Sequence, residues 1–153
     1  MKKVGDFMNP KVIHFKPEDS IFKVAKVFSK NDISGAPVVK GKKVIGVISE
    51  CDLVKFMSSK LRKKSSTAIP SLSLLVLSFI KNHVDLRSEL KRVSKTKIKD
   101  FMTKKVVSIS SDKSLLEAAS MMEKNDINRL PVVDKGNLVG IIARADLIKA
   151  LIE

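Results

Sequence analysis

The feature that most constrains the fold of this chain is an internal repeat. When the sequence is shifted by 94 positions, residues 6–57 align with residues 100–151 without a gap, and 19 of the 52 aligned positions are identical. Self-similarity over this length indicates two copies of one structural unit. A unit of about 55 residues buries little surface by itself, so the two copies are expected to share one core. We predict one repeat over 1–57, a second over 98–153, and an insert over 58–97.

The spacing of apolar residues predicts the order β-α-β-β-α in each copy, an α/β (α+β) fold. Ser20 and Ser114 are predicted to cap the first helix of their repeats, since a serine hydroxyl accepts a hydrogen bond from an unpaired N–H of the first turn. The third strand is apolar nearly throughout, so we expect it to be buried on both faces. The predicted elements are strands over 12–15 and 106–109, helices from 21 and 115, strands over 36–39 and 130–133, strands over 44–48 and 138–142, and helices from Asp52 and Asp146.

The chain is strongly basic, and its charge is uneven. It carries 30 Lys and Arg against 16 Asp and Glu, a net charge of +14, which favours anionic partners. Residues 58–97 hold ten basic and two acidic side chains, so the excess belongs mainly to the insert. A single cysteine, Cys51, excludes an intramolecular disulfide framework, and with only two histidines it argues against a zinc site. The longest apolar stretch, 69–80, is too short to span a bilayer, so we expect a cytoplasmic protein.

The insert has an amphipathic pattern. From Ser71 to Val93, apolar residues recur every three or four positions, which predicts a helix with one apolar face. Such a face needs a partner. The sequence leaves open whether it packs on its own repeats, on a second subunit, on a membrane surface or against nucleic acid.

Three motifs occur once in each repeat. They are Phe-Met before the first strand, an apolar-Pro-Val-Val strand, and an apolar-Gly-apolar-apolar-x-x-x-Asp-Leu ending. With both sets in the same order, the sequence resembles the cystathionine-β-synthase (CBS) domain, which occurs in pairs as the Bateman module. The motifs lie at Phe7-Met8 and Phe101-Met102, at 36–39 and 130–133, and at 44–53 and 138–147.

The resemblance implies a regulatory binding module and not an enzyme, with two repeats packed sheet to sheet about a pseudo-two-fold axis. Modules of this kind hold an adenosine-containing ligand, such as AMP, ADP, ATP or an S-adenosylmethionine-like compound, in clefts between the repeats, and its occupancy regulates a partner. The resemblance also implies a homodimer. It implies no catalytic residue, catalytic cofactor or metal.

The resemblance also names ligand-binding positions, and it makes the two clefts unequal. Asp52 is expected to accept hydrogen bonds from a ribose, and Arg129, two positions before the strand proline, to bind phosphate. In the second cleft Ala143 stands where a hydroxyl is expected, with Arg144 beside it, so the Asp52 cleft is predicted to be the better site. The expected set for the first cleft is Ser34, Gly35, Ser49, Asp52, Asn128 and Arg129; for the second, Asp146 and Arg144; and for the adenine edge, Asn9, Ile13, Thr103 and Val107.

Two alternatives stay open at this stage. Asp52 and Asp146 also suit a plain helix cap, because both stand where a helix is predicted to begin. A nucleic-acid-binding protein that uses its basic insert is the alternative function, although the chain has no Trp or Tyr for base stacking.

Overall fold

The described residues form the same hairpin-and-helix succession twice. The computed structural model describes residues 1–62 and 94–153, so the helix predicted between Ser71 and Val93 lies outside the described residues. The first half contains α1 (Val4–Phe7), α2 (Ile21–Asn31), β1 (Gly35–Lys40), β2 (Lys43–Ser49) and α3 (Glu50–Arg62). The second contains a 3₁₀ turn (Ile98–Asp100), α4 (Leu115–Lys124), β3 (Arg129–Asp134), β4 (Asn137–Ala143) and α5 (Arg144–Lys149). The prediction of a mixed α+β fold is confirmed.

Both predicted helix caps are confirmed. The Ser20 hydroxyl accepts a hydrogen bond from the backbone N–H of Lys23 at 3.3 Å. The Ser114 hydroxyl accepts one from the N–H of Glu117 at 3.2 Å, and the Glu117 carboxylate accepts the N–H of Ser114 in return. This reciprocal arrangement is a capping box, which satisfies two backbone donors that the helix itself leaves unpaired.

The first strand predicted in each repeat is wrong as a strand. Only Phe15 and Ile109 pair with their neighbours, as single parallel bridges to Val38 and Val132. Extending the first ladder toward the chain start requires a backbone donor at Pro37, and proline has no N–H. Pro131 occupies the equivalent position in the second repeat and stops that ladder in the same way.

The strands predicted over 36–39, 130–133, 44–48 and 138–142 are confirmed, but the predicted burial of the third strand of each repeat on both faces is wrong. In β4, Gly140 and Ile142 are buried while Val139 and Ile141 are only half-buried. β4 pairs with β3 in a two-stranded antiparallel sheet, and the alternation of buried and half-buried residues along β4 places its core contacts on one face.

The chain divides into two compact units that do not coincide with the repeats. The first unit comprises Met1–Phe15, Ala36–Val47 and Lys104–Glu153, and the second comprises Lys16–Gly35 and Ile48–Thr103. Each unit therefore combines segments from both halves of the sequence.

In the first unit, the start of the chain completes the core of the second repeat. Val4 is fully buried, and its N–H donates to the carbonyl of Lys113 at 2.8 Å. The N–H of Gly5 donates to the carbonyl of Ser111 at 2.9 Å, where a Cβ on Gly5 would lie 3.3 Å from that carbonyl oxygen. The buried cluster that Val4 joins otherwise consists of Ile109, Ala118, Met122, Leu130, Val132 and Ile142.

In the second unit, the segment 94 positions later makes the matching contacts with the first repeat. Ile98 is fully buried and donates its N–H to the carbonyl of Asp19 at 3.0 Å, and Lys99 donates to the carbonyl of Pro17 at 3.1 Å. The Phe-Met motif therefore belongs to a segment that packs on the other repeat, which the sequence pattern alone did not reveal.

Ion pairs join the segment that contains Lys97 and Lys99 to Glu18 of the first repeat. The Glu18 carboxylate accepts hydrogen bonds from the ammonium groups of Lys97 and Lys99, the latter at 2.8 Å. The hydrogen bond from Lys97, followed by that from Lys99, lowers the pKa of Glu18 from 4.5 to about 2.

We expect Ile98→Ala to destabilise the fold by about 2–5 kcal/mol, because truncating a fully buried isoleucine leaves a cavity. Urea unfolding followed by circular dichroism measures the change. Ile152→Ala is the matched control, since Ile152 is 87% exposed, and it should shift stability by roughly 0.5 kcal/mol at most. Equal effects of the two variants would contradict the burial of Ile98 in the folded chain.

We expect Glu18→Gln to lower the melting temperature at neutral pH but not near pH 2. Since the folded-state pKa of Glu18 lies below its ordinary value of 4.5, its carboxylate stabilises the fold above pH 4.5 and loses that effect as the pH falls toward about 2. Thermal melts from pH 2 to pH 7 measure this, with Glu123→Gln on α4 as a control for removing an exposed carboxylate. A difference between variant and parent that stays constant over this range would refute the ion-pair explanation.

Candidate functional site

Asp52 lies in the first turn of α3, directly after β2. Its Oδ2 accepts two hydrogen bonds from Ser49, one from the backbone N–H at 2.9 Å and one from the hydroxyl at 3.0 Å. The Ser49 hydroxyl also lies 3.3 Å from the N–H of Asp52. Asp52 is thus the acidic member of a capping box and only half-buried, which combines the structural role considered from the sequence with an accessible carboxylate.

Thr103 contacts the other oxygen of this carboxylate. Its hydroxyl donates to Asp52 Oδ1 at 3.2 Å. Phe56, four residues after Asp52, stacks on Phe101, two residues before Thr103, with the ring centroids 4.7 Å apart. This contact joins α3 to the segment that carries Thr103. From the sequence, Thr103 was expected at the adenine edge of the site. Its hydrogen bond to Asp52 was not expected, because the two residues are 51 positions apart and no local motif connects them.

Ser34 and Gly35 lie beside the start of α3. The carbonyl of Ser34 accepts a hydrogen bond from the N–H of Glu50 at 3.0 Å, and both residues are half-buried. The second unit therefore brings four residues of the predicted first cleft together, namely Ser34, Gly35, Ser49 and Asp52, and adds Thr103.

Asp146 occupies the equivalent position in the first unit. Its Oδ2 accepts a hydrogen bond from the N–H of Ala143 at 2.8 Å. The N–H of Arg144 donates to the carbonyl of Asn128 at 3.0 Å, and Arg129 is paired with Ala143 in the β3–β4 register. Asn128, Arg129, Arg144 and Asp146 therefore lie at one end of the β3–β4 hairpin.

The start of the chain reaches the same hairpin. Asn9 forms an antiparallel bridge with Ile141, with backbone hydrogen bonds of 2.8 and 3.0 Å. The Asn9 side-chain oxygen accepts the N–H of Lys11 at 2.9 Å, so it forms a turn with its own backbone. Val107 packs against the core cluster of this unit, whereas Ile13 is 37% exposed.

The two aspartates thus share a backbone frame but differ in their side-chain donors. Asp52 receives hydroxyl hydrogen bonds from Ser49 and Thr103, while Ala143 has no hydroxyl to offer Asp146. The pairing of Asp52 with Asn128 and Arg129 across the two repeats stays a prediction, and so does the preference for the Asp52 site.

Within residues 1–62 and 94–153, no three His, Cys, Asp or Glu side chains come close enough to hold a metal ion. In the same ranges no helix has both the length and the apolar character needed to cross a membrane.

Comparison with known proteins gives consistent matches over nearly the whole chain. The chain is 40% identical over 154 residues to the uncharacterized protein MJ1426 of Methanocaldococcus jannaschii, covering 97% of this chain and 90% of that protein. It spans less than two thirds of the length of several other curated relatives.

Solved structures match the fold. The crystal structure of CBSX2 in complex with AMP superposes with a TM-score of 0.73 at 24% identity, covering 99% of this chain and 97% of that one. The CBS domain pair of protein MJ0100, in complex with 5-methylthioadenosine and S-adenosyl-L-methionine, has a TM-score of 0.71 at 22% identity, with coverages of 99% and 96%. The profile of the CBS domain matches residues 4–59 and 98–153. The chain therefore belongs to the CBS domain family and carries two copies of that domain.

Proposed function

We propose that this chain is a regulatory module that binds an adenosine-containing ligand and thereby modulates a partner protein. The ligand class is AMP, ADP, ATP or an S-adenosylmethionine-like compound. The observation that carries the proposal is the repeated placement of an aspartate in the first turn of the helix that follows a hairpin, at Asp52 and at Asp146. In this module the repeats span 1–57 and 98–153, and the insert spans 58–97.

The chemistry of these positions suits a nucleoside. A carboxylate accepts hydrogen bonds from ribose hydroxyls, and its charge strengthens them. Arg129 and Arg144 lie at the same hairpin end as Asp146 and supply planar donors for phosphate. Apolar side chains such as Ile13 and Val107 offer a surface for an adenine ring. No catalytic step is proposed for this chain.

The ligands of the structural neighbours support the adenosine class. CBSX2 was crystallised with AMP, and the MJ0100 domain pair with 5-methylthioadenosine and S-adenosyl-L-methionine. These ligands share adenosine and differ in whether the 5′ side carries phosphate or sulfur. The two arginines favour a phosphate in this chain.

Exposed apolar residues support assembly into a homodimer. Phe22 on α2 and Leu116 on α4 are equivalent under the repeat and are 43% and 80% exposed. Val54 on α3 and Ile148 on α5 are also equivalent, at 39% and 65%. An apolar residue kept exposed at the same position of both repeats fits a surface that a second copy covers. We propose a homodimer on this basis, and a cytoplasmic location because the single cysteine, Cys51, suits a reducing compartment.

The nucleic-acid alternative depends on the basic insert, most of which lies outside the described residues. The comparisons add no support for it. A gel shift with duplex DNA and with RNA at increasing salt serves as its test, because phosphate contacts weaken steeply with salt.

We expect AMP to raise the melting temperature of the chain, since a ligand that binds only the folded state stabilises it by roughly 2.7 kcal/mol at a hundredfold excess over Kd. For a chain of this size that corresponds to a shift of about 5–10 °C. Asp52→Ala and Asp146→Ala should each weaken one site by about ten- to a hundredfold, because each loses charge-assisted hydrogen bonds. Thermal melts measure the shift in melting temperature, and isothermal titration calorimetry measures the affinity of each variant.

Glu123→Ala controls for the loss of one negative charge and should leave the titration unchanged. The proposal fails if AMP, ATP and S-adenosylmethionine all leave the melting temperature where it was. Titrations that are the same for the parent and both aspartate variants would show that the ligand binds elsewhere.

A further inference from the structure

We infer that Thr103 sets the ribose selectivity of the Asp52 site, so that this site accepts one ribose hydroxyl while the Asp146 site accepts two. The inference rests on the proposed function and adds to it a difference between the two sites. It follows from counting the donors that each carboxylate already has within the chain.

A carboxylate offers about four acceptor positions, two on each oxygen. At Asp52 the described residues fill three of them. The Ser49 N–H and hydroxyl both donate to Oδ2, at 2.9 and 3.0 Å, and the Thr103 hydroxyl donates to Oδ1 at 3.2 Å. One acceptor position on Oδ1 is left for a ligand.

Asp146 has a different count. In the described part of the chain its carboxylate receives one hydrogen bond, from the N–H of Ala143 to Oδ2. Ala143 replaces the serine, and Asn9, which is equivalent to Thr103, directs its side-chain oxygen to the N–H of Lys11. About three acceptor positions are therefore left, enough for both hydroxyls of a ribose diol.

The chain around Thr103 is anchored at several points. Phe101, two residues earlier, stacks on Phe56 of α3, and the N–H groups of Phe101 and Met102 donate to the carbonyl of Ile98 at 3.1 and 2.8 Å. Ile98 is itself fully buried. This anchoring holds the Thr103 hydroxyl toward Asp52, so a ribose meets a carboxylate that is already largely occupied.

The consequence is a difference in the ligands that the two sites tolerate. At Asp146, removal of either ribose hydroxyl deletes a hydrogen bond to a charged acceptor, which weakens binding by roughly ten- to a hundredfold. At Asp52 only one hydroxyl has an acceptor, so the ligand that lacks the other hydroxyl should bind within about threefold of AMP.

The experiment compares AMP, 2′-deoxy-AMP and 3′-deoxy-AMP by isothermal titration calorimetry. Asp146→Ala leaves the Asp52 site to be measured, and Asp52→Ala leaves the Asp146 site, with circular dichroism confirming that each variant is folded. We expect both deoxy ligands to bind weakly at Asp146 and one of them to bind like AMP at Asp52.

Thr103→Val in the Asp146→Ala background tests the residue itself. Valine has nearly the same shape but no hydroxyl, so it opens the second acceptor position of Oδ1, and both deoxy ligands should now bind more weakly than AMP. Thr103→Ser restores the hydroxyl and should restore the parent pattern.

Each outcome decides a separate point. If AMP binds at Asp52 and both deoxy ligands are penalised there in the presence of Thr103, the inference is overturned while the proposed function stands. The same holds if Thr103→Val leaves the pattern unchanged. If neither AMP, ATP nor S-adenosylmethionine binds to either site of the parent chain, the proposed function itself fails.

Discussion

The burial of Val4 and Ile98 is the constraint on which the rest of the structure depends. Both residues are inaccessible to solvent. Val4 lies beside the second repeat, and Ile98 lies beside the first. A repeat of about 55 residues buries little surface by itself. Here each repeat gains a buried side chain and two or more backbone hydrogen bonds from the first residues of the other repeat. Both compact units combine segments from the two halves of the sequence.

Much of the fold could be predicted from the sequence, because the pattern that specifies it is local. Ser20 and Ser114 precede helices and cap them, and the apolar-Pro-Val-Val segments form β1 and β3. The exchange of the two starting segments could not be predicted, since Val4 contacts Lys113 through a backbone hydrogen bond that leaves no trace in spacing. The missing first strands were predictable in principle, because Pro37 and Pro131 each remove a ladder donor.

The candidate site shows the same division between local and distant information. The Ser49–Asp52 capping box follows from a spacing of three residues. The sequence also shows that the second repeat has Ala143, which lacks a hydroxyl, at the position of Ser49. The contact of Thr103 with Asp52 joins distant parts of the chain and needed the fold. Two sites that descend from one repeat thus keep a common backbone and differ through side chains drawn from separate segments, which lets each site change without altering the helix that presents its aspartate.

The exchanged segments also bear on how the chain reaches its native state. Val4 is synthesised more than 100 residues before Lys113, whose carbonyl accepts its N–H, and its core neighbours extend to Ile142. At a synthesis rate of roughly 5–20 residues per second, the segment around Val4 waits about 5 to 30 seconds for these residues. Contacts this distant in sequence carry a high loop-closure cost and slow folding. The segment around Val4 is therefore made long before the residues that bury it, and during that interval its apolar side chains are open to chaperones and to neighbouring copies of the same chain.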